Sequence, residues 1–292
     1  MYRRAPMSRD LASLVARSIL TSLDHAESYP KADGPSGAFK RDLDAIADAP
    51  EDAREVRDRL HGTLVSTVGM FLAHATDHIR ALANDMLREP LPIWSPLTLC
   101  RAVQESTVWM VRLLDPAIST NIRLCRSAAL WIDDSQPART SAMTFGAEHA
   151  ASVDEYHRFK LAELEIGGFA IEVGRDQRPA RVRLGDAVAT LKLNLTDEVI
   201  RLMPEGAPSP YRLSSGAAHG RPWMLERSVT RTDDGQLAGE GSTAGTAALT
   251  VMLCMRAWVT AWGGYFNLDV TGQLADMRAA MESFAAEGMK FG

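Results

Sequence analysis

The sequence predicts an all-α fold, a multi-helix bundle with at most a short β-hairpin. Two observations favour this class. Apolar residues recur at spacings of three and four over most of the chain, and the sequence contains neither a glycine-rich phosphate loop nor a βαβ alternation. The only hairpin signal surrounds Asp234-Gly235, which predicts a hairpin insertion within 226–240. We therefore expect residues 1–292 to form a single helical domain.

The N-terminal third carries the strongest helical patterns. A helix is expected over 8–28, with Ser8 as its N-cap, and a flexible loop rich in glycine and proline follows at about 30–39. The clearest amphipathic helix covers 51–87, and a proline at position 90 follows its end. Its apolar stripe consists of Leu64, Val68, Phe71, Ala75, Ile79, Leu82 and Met86.

The rest of the chain continues this pattern with one ambiguous stretch. A helix is expected to start at Ser95-Pro96, with Ser95 as the N-cap and Pro96 at the first helical position, and to run to Leu114. The remaining predictions are a helix over 117–133, a loop over 134–146, a helix over 147–173, a segment over 178–204 that is either strand or helix, and helices over 244–263 and 269–289.

Composition and charge narrow the class of protein. The 292 residues are 46% apolar and 24% charged, which excludes wholesale disorder and fibrous repeats. The net charge of -5 gives no global attraction to nucleic acid. Three cysteines without CxxC spacing favour a reducing compartment, and no window approaches about 18 uninterrupted apolar residues. We expect a cytoplasmic protein that does not enter a membrane.

The segment YRLSSGAAHG is the motif that most suggests chemistry. Arg212 and His219 are seven residues apart, so on a helix they share one face, roughly 10 Å apart along the axis. Tyr211, Ser215 and His219 step by four and are candidate binding neighbours. Arginine stabilises a phosphate oxyanion and histidine moves a proton near neutral pH, so the pair suits RNA phosphodiester cleavage by the ribose hydroxyl.

An arginine followed by six residues and a histidine, on a helix of an all-α protein, resembles the HEPN superfamily. The segment also looks like the Tyr–Leu-Ser–His stretch of uncharacterised actinobacterial helical proteins. The resemblance implies a metal-independent ribonuclease that acts on RNA as a homodimer, with Arg212 and His219 as catalytic residues. Leu213, where the ribonucleases commonly have a polar residue, and the helix stop at Gly220 leave a non-catalytic relative as an alternative.

Two further polar groups lie on predicted helices. His74 and His78 have the H-x3-H spacing that suits zinc, but no third ligand is evident, so we expect no metal and no cofactor. On the next helix Arg101 and Glu105 are four residues apart, with Trp109 four residues further on.

Three functions are consistent with these residues. The first is the ribonuclease or its non-catalytic relative. The second is an enzyme or binder for a small apolar ligand, whose Trp-lined pocket would lie between the helices of His78, Arg101, Glu105, Trp109 and Tyr211. The third is a helical protein-protein interaction module. The environment of Arg212 and His219 discriminates among them. Exposure at a two-fold interface favours the ribonuclease, an enclosed aromatic pocket favours the ligand, and burial favours a structural role.

Overall fold

The computed structural model describes residues 6–28, 34–175, 178–202, 209–232 and 234–288. It is 74% helical with two small antiparallel sheets, which confirms the all-α fold class. The helices are α1 (Arg9–Glu27), α2 (Gly37–Ala47), α3 (Glu51–Leu87), α4 (Ser95–Leu114), α5 (Thr120–Ala142), α6 (Ala147–Ile166), α7 (Leu195–Leu202), α8 (Ser209–Ala218), α9 (Pro222–Arg227), α10 (Gly241–Phe266) and α11 (Thr271–Gly288). The strands are β1 (Ala170–Val173), β2 (Pro179–Leu184), β3 (Ala187–Thr190), β4 (Val229–Arg231) and β5 (Leu237–Gly239).

The main hydrophobic core lies where α1, α3, α4 and α10 pack together. Apolar side chains such as Ile19, Ile79, Val103 and Val251 are fully buried there. Helix α10 is long and apolar enough to cross a membrane by length and composition, but 67% of the qualifying window is buried inside the fold. The helix therefore has the character of a central core helix, as its apolar composition on all sides indicates.

The predicted helices of the N-terminal third are confirmed. Helix α3 has both predicted bounds, and the Ser8 hydroxyl accepts the N–H of Leu11 as the N-cap of α1. The N-cap prediction for α4 was wrong: Trp94 occupies that position, and the Ser95 hydroxyl donates to the Asp85 carboxylate. The loop expected at about 30–39 partly falls outside the described residues, and α2 already begins at Gly37.

The loop predicted over 134–146 was wrong, because α5 continues through Pro137 to Ala142. Contacts with α6 stabilise this extension. The Ser135 hydroxyl lies 3.0 Å from Nδ1 of His157, and Arg139 forms an ion pair with Asp154. Such tertiary contacts offset the loss of the backbone hydrogen bond that proline cannot donate.

The helix predicted over 147–173 was also wrong in its last seven residues, 167–173. Helix α6 ends at Ile166, and Gly168, with φ of +83°, turns the chain into β1. Strands β1, β2 and β3 form an antiparallel sheet in that order, and the sheet packs on α5. Val182 and Leu184 of β2 are buried in this second core, together with Cys125 of α5. The segment 178–204, expected to be either strand or helix, contains β2, β3 and α7, and the three-stranded sheet exceeds the short hairpin of the expected architecture.

The predicted hairpin within 226–240 is confirmed. Strands β4 and β5 pair antiparallel, with Val229 opposite Gly239 and Arg231 opposite Leu237. Gly235 in the connecting turn has φ of +84°, a conformation that glycine adopts without a steric penalty.

A buried ion cluster joins α2, α5 and α10. The Asp42 carboxylate accepts two hydrogen bonds from Nη1 of Arg123, at 2.6 and 2.8 Å, and both side chains are 1% exposed. The hydroxyls of Thr120 and Tyr265 each donate to the same carboxylate at 2.8 Å. Nε2 of His61 lies 3.5 Å from it and 2.9 Å from the Tyr265 hydroxyl. Each charge is therefore paired, as a buried ion requires.

Candidate functional site

His219 is held in place by the way α8 ends. The N–H of Gly220 donates to the carbonyl of Ala217, and the N–H of Arg221 donates to that of Gly216. Gly220 has φ of +60°. This is the Schellman arrangement, with glycine at the left-handed position and His219 as the C-cap residue. The sequence Gly220-Arg221-Pro222 therefore ends the helix directly after the histidine and starts α9 at the proline.

The imidazole of His219 meets an arginine from α4. Nη1 of Arg101 donates to Nε2 of His219 at 2.7 Å. Because arginine carries only donors, Nε2 must be the acceptor, and the ring proton then lies on Nδ1. His219 is exposed, whereas the Arg101 side chain is 20% exposed.

Glu105 and Tyr211 hold Arg101 in this position. Oε1 of Glu105 accepts a hydrogen bond from Nε of Arg101 at 2.7 Å and another from the Tyr211 hydroxyl at 3.1 Å. The guanidinium lies 6.0 Å from the centre of the Tyr211 ring, within the range of a cation–π contact. Tyr211 itself is buried between α8 and α4. We refer to Arg101, Glu105, Tyr211 and His219 as the α4–α8 cluster.

Tyr211 and Arg101 both keep their protons near neutral pH. Burial, and then the negative charge of Glu105, raise the pKa of Tyr211 to about 12, so the phenol stays protonated and can donate. Burial by itself lowers the pKa of Arg101, but the hydrogen bond and charge of Glu105 outweigh it and the pKa is raised. The arginine is thus a permanent cation beside the imidazole of His219.

A buried hydrogen bond fixes α8 on α4 beneath the cluster. The Ser214 hydroxyl donates to Oε1 of Gln104 at 2.8 Å, and both side chains are fully buried. Gly216 permits close packing of α9 on α8, because a Cβ at this position would lie 2.8 Å from the Trp223 ring. The platform that carries Tyr211 and His219 is therefore set by packing as well as by the helix cap.

The structure separates Arg212 and Ser215 from these contacts. Arg212 is exposed on α8, and it makes no hydrogen bond or ion pair with any residue that the structure describes. Ser215 is half-buried, and its carbonyl accepts the N–H of His219 at 3.1 Å. The arginine that contacts His219 is Arg101 of α4, and Arg212 remains available for an external anion.

The two histidines of α3 lie beside the cluster. Nδ1 of His74 is 2.8 Å from the Ser106 hydroxyl, and the rings of His74 and His78 are 4.2 Å apart. Burial and the charge of His78 lower the pKa of His74, against the opposing charges of Asp77 and Glu105. Over the described ranges, no group of three or more His, Cys, Asp or Glu side chains is arranged to hold a metal ion.

Trp109 does not join the polar contacts. Its ring stacks on Phe71 of α3, with centroids 6.5 Å apart and an angle of 9° between the planes. A Trp-lined pocket of about 100 Å³ exists elsewhere, between α3, α5 and α6. Trp131, Leu60 and Leu164 belong to its mainly apolar lining, and Arg59, Lys160 and Glu163 line it as well.

No protein-family model, curated protein or solved structure matches the chain. The function is therefore inferred from the geometry of the site. The sequence had singled out all four members of the α4–α8 cluster, but it paired Arg101 and Glu105 with His78 instead of His219. No local signal links Arg101 to His219, because 118 positions separate them in the chain.

Proposed function

We propose that the protein is a metal-independent ribonuclease in which His219 and Arg101 act together on an RNA phosphodiester. The observation that carries this proposal is the 2.7 Å contact between Nη1 of Arg101 and Nε2 of His219 at an exposed surface. An exposed imidazole beside a fixed guanidinium offers a proton acceptor next to a site for a phosphate oxyanion.

In the proposed reaction the ribose 2′-hydroxyl attacks the adjacent phosphorus. Nε2 of His219 takes the hydroxyl proton, which requires substrate to displace the histidine from Arg101. The bond from O2′ to phosphorus forms and the bond from phosphorus to O5′ breaks, and O5′ takes a proton from solvent. The products are a 2′,3′-cyclic phosphate and a 5′-hydroxyl end.

Arg101 supplies the charge that stabilises this transition state. Once displaced from His219, its Nη1 donor faces the position of the phosphate, while Nε stays bonded to Glu105. Tyr211 secures Glu105 and so limits the rotation of the guanidinium. Arg212, exposed on α8 directly after Tyr211 and seven residues before His219, supplies a second positive charge for an adjacent phosphate.

The proposal includes a cytoplasmic homodimer in which the second copy brings its own His219 toward the same RNA. The resemblance of the Arg212–His219 segment to HEPN proteins supports this arrangement. The exposure of both residues is compatible with it, because neither side chain is enclosed by the fold. If the exposed cluster binds neither RNA nor a small ligand, the remaining function is that of a helical protein-protein interaction module.

The test is cleavage of a mixed single-stranded RNA pool in the presence of a chelator. We expect 2′,3′-cyclic phosphate ends, and a loss of at least about 100-fold in rate for His219→Ala and for Arg101→Gln. Arg212→Gln should reduce the rate less. The matched control is His149→Ala, an exposed histidine on α6, which should cleave like the wild-type protein.

Thermal unfolding of each variant separates catalysis from folding. His219 is exposed, so its removal should change the free energy of unfolding by less than about 1 kcal/mol. An intact RNA pool after incubation with the wild-type protein, with and without divalent metal, would refute the ribonuclease.

A second candidate function is the binding of a small apolar molecule. The pocket at Trp131 favours it, since most of the pocket lining is apolar. This pocket lies away from the residues that the sequence had suggested for such a ligand.

A further inference from the structure

Three arginines converge where α4, α5 and α7 meet. Arg112 of α4 lies 3.3 Å from Oε1 of Glu198, and Arg201 donates to Oε2 of the same carboxylate at 2.7 Å. Arg126 of α5 lies 3.9 Å from Oδ2 of Asp115. The three guanidinium groups therefore have only two carboxylates as partners. Glu198 pairs with both Arg112 and Arg201, and Asp115 pairs with Arg126.

This cluster has more positive than negative charge in a partly buried place. The side chains of Arg112 and Arg126 are only 12% and 16% exposed. Burial, and then the like charge of Arg112, lower the pKa of Arg126 to about 10. The carbonyl of Arg112, in the last turn of α4, accepts a hydrogen bond from Arg126 at 2.6 Å and offsets part of one charge. Within the described ranges no third carboxylate pairs with these arginines, so the remaining positive charge can be neutralised by an anion.

A pocket opens directly beside these arginines. It has a volume of about 320 Å³ and lies between α4, α7 and α10. Arg201 of the cluster lines it together with Arg256 of α10 and Asp115. Oδ1 of Asp115 accepts the N–H of Ala117 at 3.0 Å, which engages part of this carboxylate with the backbone. The opposite wall is apolar and comes from Val111, Leu253, Ala257 and Ala261.

We propose that this pocket binds a phosphate-bearing ligand, with Arg201 contacting the phosphate and Arg112 and Arg126 supplying positive potential from the adjoining cluster. Arginine is suited to this task because its planar fork can donate two parallel hydrogen bonds to phosphate oxygens. The volume exceeds that of one phosphate group, so a diphosphate or a phosphate ester with an apolar part would fill it better.

The proposed phosphate site is separate from the α4–α8 cluster. Arg101 and Arg112 are eleven positions apart on α4, which places them on nearly the same face about 16 Å apart along the axis. The proposal therefore does not depend on the ribonuclease. The phosphate could belong to a small molecule or to the backbone of an RNA strand that extends along α4, and the experiment distinguishes these sources.

The test measures binding of pyrophosphate to the full chain by isothermal titration calorimetry. We expect saturable binding that Arg201→Gln weakens by at least about tenfold, the effect of losing one charged hydrogen bond. Arg201 is 52% exposed, so its replacement should leave the protein folded, and Arg201→Lys should retain part of the affinity. The matched control is Arg80→Gln, a 55% exposed arginine of α3 that pairs with Glu27 of α1. This variant should bind pyrophosphate like the wild-type protein.

Two results would overturn the site: no saturable binding of pyrophosphate at low ionic strength, or equal affinity in the wild-type protein and Arg201→Gln. Displacement of pyrophosphate by a single-stranded RNA oligonucleotide, lost in Arg201→Gln, would identify the polynucleotide backbone as the source. Binding of pyrophosphate without competition by RNA would identify a small phosphorylated molecule. Because His219→Ala leaves this pocket intact, phosphate binding in that variant separates failure of the ribonuclease from failure of the phosphate site.

Discussion

Replacing Asp42 by alanine should destabilise the protein more than any surface substitution. The change removes the carboxylate that accepts four hydrogen bonds, two of them from Arg123. The guanidinium keeps its bonds to the carbonyls of Leu113 and Asp115, but its charge stays buried without a counter-ion. Breaking a buried ion pair from one side costs about 3–5 kcal/mol. That is a large fraction of the 5–15 kcal/mol by which a typical domain is stable.

Urea unfolding followed by circular dichroism measures this loss. The control is Glu27→Gln, which breaks the exposed pair with Arg80 and should cost less than about 1 kcal/mol. A double variant, Asp42→Leu with Arg123→Met, should recover much of the stability because no charge is left unpaired. A loss below about 1 kcal/mol for Asp42→Ala, or a double variant no more stable than the single one, would refute this account of the cluster.

The same carboxylate predicts how stability depends on pH. Burial by itself raises the pKa of Asp42, but the hydrogen bond to His61, the charge of Arg123 and the hydroxyl donors outweigh it, so the pKa is lowered. The unfolded chain therefore takes up this proton at a higher pH than the folded protein. The contribution of Asp42 is complete above its unfolded pKa near 4 and is lost as the pH falls through the folded pKa. The difference in unfolding free energy between wild type and Asp42→Asn should therefore shrink as the pH falls from about 4 through the folded pKa. A difference that stays constant over this range would contradict the lowered pKa of Asp42.

Two further predictions concern the cap of α8 and the pocket at Trp131. Gly220→Ala should lower the free energy of unfolding by about 1 kcal/mol, because an L-residue is strained at φ of +60° even though its Cβ would meet no atom. The control Gly245→Ala, inside α10, should raise the free energy of unfolding by about 0.5–1 kcal/mol. Equal effects of the two variants in thermal unfolding would contradict the role of Gly220 in the cap. The pocket at Trp131 should bind toluene saturably in ligand-observed NMR, and Thr63→Phe, at a residue that lines the pocket, should block this binding. If toluene binding does not saturate, or if Thr63→Phe leaves it unchanged, the site is excluded.

Hydrophobic periodicity was sufficient to predict a helix where that helix packs a single face into one core. Helix α3 has its predicted bounds because Pro50 precedes its first residue and its apolar stripe continues to Met86, one residue before its end. The pattern failed where tertiary contacts decide the outcome. The polar end of α5 is helical because it packs on α6, and no spacing within 134–146 shows that contact. Gly167-Gly168 in the sequence indicates the end of α6. The prediction extended the helix past these two glycines because the flanking sequence has a helical pattern.

Buried charge is the feature that local sequence patterns represent least well. Asp42 lies in a stretch of alternating charges typical of a solvated helix, yet it is among the most buried residues of the protein. Its principal partner, Arg123, is 81 positions away. Nothing in the spacing of either residue distinguishes it from its exposed neighbours, such as Arg41, because burial of the pair depends on how α2 and α5 pack.

The α4–α8 cluster shows the same limit at the candidate site. Helical spacing placed Arg212 and His219 on one face, and that inference treats α8 as an isolated helix. In the fold Tyr211 packs against α4, and the Schellman turn at Gly220 directs His219 toward Arg101. The cap can be read from the sequence, but the identity of the helix on which α8 packs cannot. A motif of two residues on a short helix therefore predicts which face of that helix carries the histidine. The group that the histidine contacts is determined by the neighbouring helix.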